Sequence, residues 1–362
     1  MTRMILHIGP PGTGMRAVQE QLFLHRAELA RSGILCPALG AQRAQDGLAA
    51  GYDSEVDGGE AAWQDLRRLI AGSDHAGVIL SVESLSRTAA DPAYMAALAR
   101  RLKMFDEVRL VVTLRHQVEL LPMLWQDLVR RRQPSEPADF IARAMEDHAP
   151  AGVWLDYRRL HDQMIQEFDA GSITLLDHAG TLSRPGGLFA ALLDLALPGK
   201  GGDLAASLLQ TTPADSPADG DLWAIAEDHP LALLAARAVT GRPVPDPGSL
   251  AMLAQAFGPI PGTAPRSYLT TRAEQARLLA AFEPLNEALS ASLSSDLPAF
   301  RLTPPPQIRP DALFRDDMTA ELWAGIATAL FRSGRTHAAL AETAQAGLLG
   351  RMWRRILGTG HP

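Results

Sequence analysis

The sequence predicts an α/β fold in which helices cover a central parallel sheet. Short, nearly continuous apolar runs are typical of strands that are buried on both faces, and four of them occur in the first half of the chain. Segments with helical apolar periodicity separate these runs. This alternation of strand and helix favours right-handed crossovers between parallel strands. The predicted strands are Met4–Ile8, Val78–Val82, Val108–Leu114 and Ile173–Leu176.

The helices predicted between the strands follow the spacing of their apolar residues. Gly33 comes after the first helix, at the position where glycine commonly ends a helix in the left-handed conformation. The predicted helices of this half are Arg16–Arg31, Ala61–Ala71, Pro92–Phe105, Gln117–Arg131 and Leu155–Phe168.

The chain beyond Pro198 has a different pattern. Gly, Asp, Ser and Pro are frequent in Gly199–Gly220 and Gly241–Arg266, which predicts loops, the second interrupted by a helical patch at Leu250–Phe257. Thr303–Pro310 predicts a stiff, extended spacer. We therefore expect an α/β core over residues 1–198 and a helical region over residues 199–362 that packs on the core or caps it. The predicted helices of that region are Leu222–Val239, Thr271–Leu293, Met318–Phe331 and Ala338–Leu349.

Composition excludes several classes of protein. The 362 residues include one cysteine, Cys36, so neither an internal disulfide nor a cysteine-based zinc cluster can form. The 34 Lys and Arg against 41 Asp and Glu give a net charge of -7, which argues against nucleic-acid binding through a broad basic face. Neither a His-Glu-x-x-His nor a Gly-x-Ser-x-Gly pattern occurs, so we expect no metal and no serine-hydrolase site.

The hydropathy pattern also bears on location. No apolar stretch approaches the ~18 residues that a membrane-spanning helix needs. The first apolar run, Met4–Ile8, is shorter than the ~7 residues of a signal-peptide core. We therefore expect a cytoplasmic protein without a transmembrane segment.

The loop after the first predicted strand is the most informative stretch. Gly9 and Gly14 have the spacing of a Walker A loop, and a predicted helix follows them. The backbone N–H groups of such a loop can surround a phosphate at the helix N-terminus, where the helix dipole favours negative charge. Met15 and Arg16 stand where a nucleotide triphosphatase carries Lys and Ser or Thr, which weakens a kinase or ATPase assignment. The alternative is an ordinary turn between a strand and a helix.

The segment His7–Gln19, His-Ile-Gly-Pro-Pro-Gly-Thr-Gly-Met-Arg-Ala-Val-Gln, resembles the opening of bacterial sulfotransferases, His-x-Gly-x-x-Lys-Thr-Gly-Thr-Thr-x-Leu-Gln. Further segments resemble the family in the same order. Leu80–Leu85 is similar to the strand that ends in Ser-x-Glu, and Val108–Gln117 is similar to the strand that carries the arginine of the 3′-phosphate site. Leu155–Asp177 is similar to the family's later helix and strand.

The resemblance implies a P-loop-type, three-layer fold that binds 3′-phosphoadenylyl sulfate (PAPS) or its product 3′-phosphoadenosine 5′-phosphate (PAP), without a metal. It implies that the loop holds the 5′ end and that Arg115 binds the 3′-phosphate. Arg115 also ends an apolar strand, where the alternative is an ion pair with a carboxylate. The loop positions that the resemblance assigns to the ligand are Gly9, Pro11, Gly12, Thr13, Gly14, Met15 and Arg16.

Four positions depart from the family pattern. Gly12 replaces the lysine that contacts the phosphosulfate, and Met15 and Arg16 replace the two threonines. Met123 stands eight residues after Arg115, where the family carries a serine that binds the 3′-phosphate. Loss of one charged transition-state donor costs roughly 3–4 kcal/mol, or about 10²–10³ in rate. Arg16 is close enough to the loop to supply the missing charge, and the alternative is that its side chain faces solvent.

Glu83 is the candidate catalytic base. It follows the second predicted strand, at the edge where parallel sheets bind ligands, and the resemblance places it in the Ser-x-Glu segment. A carboxylate there can take the proton of an acceptor hydroxyl, whereas the alternative is a helix cap or a salt bridge. His7 and His116 are weaker candidates, because a histidine beside a strand usually has a structural hydrogen bond.

The sequence therefore predicts transfer of a sulfuryl group from PAPS to a hydroxyl of a glycan, a lipid or a small metabolite. The rival hypothesis is a catalytically inactive protein of the same fold that serves binding or scaffolding. The replaced lysine, threonines and serine motivate that rival.

Overall fold

The structure of the protein is a computed structural model. It describes residues 3–37, 48, 58–72, 74–88, 91–133, 135–210, 230–245, 250, 253–254, 267–293, 300–320 and 322–324. The chain divides into two compact units, each assembled from separate stretches. The first comprises Met1–Leu120, Arg143–Ala214 and Ala280–Pro305, and the second comprises Leu121–Ala142, Asp215–Leu279 and Pro306–Pro362. We retain the boundary at residue 198 as a proposal for the end of the α/β core.

The first unit contains a sheet of five parallel strands within the described residues. The strands are β1 (Arg3–Ile8), β2 (Ile34–Leu35), β3 (Gly77–Ser81), β4 (Glu107–Leu114) and β5 (Ile173–Asp177). Their spatial order is β2-β3-β1-β4-β5, and every neighbouring pair is parallel. All four predicted strands are present, with ends that differ by at most one residue, whereas the two-residue strand β2 was not predicted.

Helices occupy most of the remaining described chain. They are α1 (Met15–Leu24), α2 (Arg26–Arg31), α3 (Gly58–Ala71), α4 (Leu85–Thr88), α5 (Pro92–Leu102), α6 (Gln117–Arg130), α7 (Pro137–Asp147), α8 (Tyr157–Met164), α9 (His178–Leu182), α10 (Gly187–Ala196), α11 (Gly201–Gln210), α12 (Pro230–Thr240) and α13 (Arg272–Ser292).

Both faces of the central strands are buried, as a three-layer arrangement requires. Every residue of β1 from Met4 onward is buried. On one face Ile5, Ile79 and Val111 pack in a single cluster with apolar side chains of α1, α2, α10 and α11. A parallel sheet with helices on it and with strands this apolar confirms the predicted α/β fold class.

The predicted helix Arg16–Arg31 is two helices. His25 lies between α1 and α2 with φ -97° and ψ 12°, outside the helical region. Gly33 follows α2 with φ 84°, and its N–H donates to the carbonyl of Ala30 at 3.0 Å. Glycine at this position confirms the predicted helix end, because a side chain would be strained at this φ.

The loop predicted for Gly199–Gly220 is wrong over the part that forms α11. Ala205 and Leu208 of that helix are buried against α10. A Cβ placed on Gly201 would lie 2.1 Å from the carbonyl carbon of Leu193, so glycine permits this close approach of the two helices. The glycines that suggested a loop therefore serve helix packing.

Several predicted elements lie largely or wholly outside the described residues. Of the predicted helix Leu222–Val239, the structure describes the part from Pro230. Of the predicted helix Met318–Phe331, the structure describes residues 318–320 and 322–324, of which 320 and 322–324 are helical. The predicted helix Ala338–Leu349 and most of the patch Leu250–Phe257 lie outside the described residues. The predicted helix Thr271–Leu293 corresponds to α13 and is confirmed.

In the first unit, a pair of buried amides joins the start of α6 to α13. The Gln117 amide donates to Asn286 Oδ1 at 2.8 Å, and the Asn286 amide donates back to Gln117 Oε1 at 2.9 Å. Gln117 also donates to the carbonyl of Leu155 at 2.8 Å. Because both side chains are buried, loss of either amide would leave the other without its partner.

In the second unit, a capping box starts α13. The N–H of Thr271 donates to Glu274 Oε2 at 2.9 Å, and the N–H of Glu274 donates to Thr271 Oγ1 at 3.1 Å. Arg315 donates to the other oxygen of the same carboxylate at 2.5 Å. Across the described residues, no helix is both long enough and apolar enough to cross a bilayer.

Candidate functional site

The glycine loop lies at the carboxyl edge of the sheet, where β1 ends between β3 and β4. From β1 the chain goes to β2 and β3 on one side, whereas β4 and β5 lie on the other side. Open parallel sheets bind ligands where the strand order reverses in this way. The residues that follow β1, β4 and β5 are therefore the first place to look for a site.

The loop Gly9–Gly14 turns the chain from β1 into α1. Gly12 and Gly14 have φ angles of 85° and 81°, in the left-handed region that favours glycine. Gly14 is the N-cap of α1, without a side-chain cap. The first N–H groups of α1 therefore have no partner within the helix and are oriented toward the loop, as in anion-binding helix N-termini.

Thr13 holds the loop in this conformation. It is fully buried, and both its N–H and its hydroxyl donate to the carbonyl of Pro10, at 3.3 and 2.7 Å. A Cβ placed on Gly9 would lie 2.6 Å from Thr13 Oγ1 and 3.1 Å from the sulfur of Met15. Gly9 is thus required by close packing, and the Thr13 hydroxyl is engaged within the loop.

Two loop residues cannot supply the donors that the resemblance would require. Met15 is buried, with its sulfur packed over Gly9, so a thioether lies at the position of a family threonine hydroxyl. Pro11 is also buried and has no N–H. The donors that remain are backbone groups of the loop and of the first turn of α1.

Arg115, which directly follows β4, reaches the loop. Its Nη1 donates to the carbonyl of Gly12 at 2.7 Å, and its Nη2 lies 3.7 Å from Glu119 Oε1. The buried Nε has no hydrogen-bond partner among the described residues. The contact of Nη1 with Gly12 therefore holds the positive charge of the guanidinium beside the loop.

The backbone of Arg115 is fixed by α8. The hydroxyl of Tyr157 donates to the carbonyl of Arg115 at 2.6 Å, and burial raises the pKa of that hydroxyl well above its ordinary value. The tyrosine therefore stays protonated and keeps its donor. The guanidinium starts from a backbone that is held in place beside the loop.

A residue that the sequence interpretation missed lies on the other side of the loop. His178 directly follows β5 and is 8% exposed. Its Nε2 is 3.8 Å from the position that a Cβ on Gly14 would occupy. Burial, and then the charge of Arg115, lower the pKa of His178 to about 4, although Asp177 raises it. The signal that could have indicated it is its place directly after the last predicted strand.

The remaining predicted residues have the following positions. Glu83 is half-buried in the turn between β3 and α4, where its carbonyl accepts the N–H of Ser86 at 3.0 Å. Arg16 is exposed in the first turn of α1. Met123 is buried within α6. Glu83, Arg16 and Arg115 all belong to loops or first helical turns at the carboxyl edge.

The two histidines rated as weaker candidates are structural. His7 is fully buried, with Nδ1 3.0 Å from Ser81 Oγ and Nε2 2.8 Å from Thr113 Oγ1, and burial lowers its pKa to about 3. His116 is also buried, with Nε2 3.4 Å from Glu283 Oε2. Each ring of the pair is engaged with protein groups.

The described residues contain no group of three or more His, Cys, Asp or Glu side chains that could hold a metal ion. Cys36 is buried, and burial raises the pKa of its thiol to about 12, so it is not an activated nucleophile.

Comparison with known proteins gives one match, which is to a solved structure. No protein-family model and no curated protein matches the sequence. Among solved structures, the chain is similar to the crystal structure of a sulfotransferase from Alicyclobacillus acidocaldarius, with a TM-score of 0.40 and 14% identity over 81% of this chain and 97% of that chain. A similarity this low does not determine activity, so the functional argument depends on the residues of the site.

Proposed function

We propose that the protein binds the phosphates of PAPS or PAP at the loop Gly9–Gly14 and transfers the sulfuryl group to a hydroxyl acceptor. One observation carries this proposal. The loop ends in the open N-terminus of α1, and the guanidinium of Arg115 hydrogen-bonds to it. The sequence resemblance of this loop to sulfotransferases selects a phosphosulfate among the possible anions.

The residues present fit such a ligand in part. The guanidinium of Arg115 donates to the carbonyl of Gly12 and so places a positive charge beside the loop, which favours an anion there. The helix dipole of α1 favours the same negative charge. Because Gly12 cannot supply the family's lysine charge, we propose Arg16 as the cation that replaces it and Arg115 as the ligand of the 3′-phosphate.

The bound phosphosulfate supplies an activated sulfuryl group. In the transfer, the bond from sulfur to the bridging phosphate oxygen breaks, a bond from sulfur to the acceptor oxygen forms, and PAP leaves. We propose that Glu83 takes the acceptor proton, since it lies at the same edge of the sheet and carries a carboxylate. The acceptor classes are a glycan, a lipid or a small metabolite.

Calorimetric titration of the full chain with PAP, with ATP as the control, tests the binding step. We expect PAP to bind and ATP to bind at least tenfold more weakly, since the loop lacks the Walker lysine. Binding of ATP alone would replace the proposal with a nucleotide triphosphatase, and binding of neither would remove the phosphate site.

Turnover is tested by the variant Glu83→Gln. General-base catalysis contributes roughly 10²–10⁴ in rate, so release of PAP from PAPS with an acceptor should fall at least 100-fold while PAP affinity stays unchanged. Glu107→Gln is the matched control, because Glu107 lies at the opposite end of β4 and pairs with Arg3. Equal turnover in the two variants would exclude Glu83 as the base.

A second candidate function is binding without catalysis. The observation in its favour is the buried thioether of Met15 over Gly9, together with a glycine in place of the catalytic lysine. This candidate predicts PAP binding with no release of PAP from PAPS beyond the background rate for any of the three acceptor classes.

A further inference from the structure

The imidazole of His178 makes no hydrogen bond within the described part of the chain. It is 8% exposed, yet neither ring nitrogen has a hydrogen-bond partner among the described residues. Neither nitrogen is among the fully buried side-chain atoms that lack a partner, so both are accessible from outside the fold. The ring is therefore a candidate to meet something that the chain does not contain.

The edge of the ring faces the N-terminus of α1. Of the atoms near the position of a Cβ on Gly14, Nε2 and Cδ2 of His178 lie at 3.8 and 3.9 Å, and a methyl carbon of Leu188 lies at 3.7 Å. Gly14 is the N-cap, so the same space is open to the first N–H groups of α1. One of the two ring nitrogens thus points toward the anion-binding end of that helix.

The charges around the ring suit an anion. Arg115 lowers the pKa of His178 and therefore lies close enough for its positive charge to be felt, and Asp177 acts in the opposite direction. The Asp177 carboxylate is itself engaged, since it accepts the N–H of Gly180 and the hydroxyl of Thr303. The imidazole is neutral at pH 7 and can donate one N–H to an oxygen anion without adding a charge beside Arg115.

We propose that His178 is a ligand of the 5′-phosphate held by the loop, donating from Nε2. The inference rests on the proposed function. The family's two threonine hydroxyls are absent at Met15 and Arg16, and an N–H donor at the start of α9 would take their place. The class of ligand is an adenosine nucleotide with a 5′-phosphate.

The test is calorimetry with three nucleotides, which are PAP, adenosine 5′-phosphate and adenosine 3′-phosphate. His178→Phe removes both ring nitrogens and keeps an aromatic ring, whereas His178→Gln keeps a donor. We expect the phenylalanine variant to bind PAP and adenosine 5′-phosphate at least tenfold more weakly than the parent, as for loss of a hydrogen bond to a charged group. The glutamine variant should recover part of this loss, and affinity for adenosine 3′-phosphate should not change.

His25→Gln is the matched control, because His25 is also buried but lies at the other end of α1. It should bind all three nucleotides like the parent. If the parent binds PAP and His178→Phe binds it equally well, the inference is wrong while the proposed function stands. If the parent binds none of the nucleotides, the proposed function itself is wrong.

NMR of the parent protein tests the same contact without any substitution. The ring nitrogens of His178 are followed by NMR while PAP is added, and the Nε2 resonance should shift as a hydrogen bond to phosphate forms. An unchanged resonance at saturating PAP would overturn the assignment, even if His178→Phe failed to fold.

Discussion

Two buried histidines, one inside a strand of the sheet and one directly after another strand, differ in the hydrogen bonds of their ring nitrogens. His7 lies inside β1, where the hydroxyls of Ser81 and Thr113 on the neighbouring strands meet both of its nitrogens. His178 lies directly after β5, where the described residues meet neither. The two histidines are similarly buried but differ in hydrogen-bond satisfaction, and this difference selects His178 for the ligand role that we propose.

The two histidines should differ most in how much their replacement lowers the free energy of unfolding. His7→Leu removes the hydrogen bonds of His7 with the buried hydroxyls of Ser81 and Thr113, and at ~1–3 kcal/mol for each lost buried contact we expect a loss of about 2–6 kcal/mol. His178→Phe has no hydrogen bond to lose within the described residues and should change stability by less than about 1 kcal/mol. Denaturant unfolding followed by circular dichroism measures both. Similar losses would show that His178 is as structural as His7.

The next prediction concerns the contribution of Arg115 to PAP affinity. Arg115→Ala should weaken PAP binding by about 100-fold, because it removes a charge-assisted donor worth ~1.5–3 kcal/mol. Arg109→Ala is the control, since Arg109 lies within β4 and contacts Thr174 at 3.3 Å. Adenosine 3′-phosphate and adenosine 5′-phosphate then show which phosphate Arg115 serves. Unchanged PAP affinity would remove Arg115 from the site.

The strands and the glycine loop could be predicted because their signals are local. A buried strand such as β4 is an apolar run, and a loop with glycines at 9, 12 and 14 shows its conformation in its composition. The α10 helix was missed because it is buried on most sides, so its apolar residues show no clear amphipathic period. The strand β2 has two residues, too few for any period.

The site could be predicted only where it lies on one segment. The loop is continuous in sequence, but the approach of Arg115 to Gly12 joins residues 103 positions apart. The position of His178 beside Gly14 depends on β5 lying next to β4, which no local pattern reveals. The sequence shows which side chains are present, but it does not show which distant residues the fold brings together.

The two histidines should also make the free energy of unfolding depend on pH. The pKa of His7 is lowered to about 3 and that of His178 to about 4, below the unfolded value of 6.5, so the unfolded chain binds more protons in acid. Stability from both is therefore present above pH 6.5 and is lost as the pH falls toward those values. Between pH 7 and pH 5 each histidine should contribute a loss of about 2 kcal/mol.

The variants separate the two contributions. His178→Phe should lose about 2 kcal/mol less than the parent between pH 7 and pH 5, which unfolding at the two pH values measures. Asp177 and Arg115 are retained in both proteins, so their fields cancel in the difference. An identical acid loss in parent and variant would mean that His178 titrates normally in the folded protein.

The smallest expected effect comes from restoring the lysine at Gly12. A charge-assisted contact to phosphate contributes ~1.5–3 kcal/mol, but Gly12 has φ 85°, where a side chain costs about 1–2 kcal/mol. Gly12→Lys should therefore lower stability, and because the loop can relieve this strain by shifting away from the anion, PAP affinity should rise by less than tenfold. Gly33→Lys isolates the strain, because Gly33 has φ 84° and open space around its Cβ position. Both variants should lose stability, while Gly12→Lys alone gains affinity. Gly12→Lys that folds yet binds PAP no better than Gly33→Lys would mean that the loop is not a phosphate site, and His178 would then need another explanation.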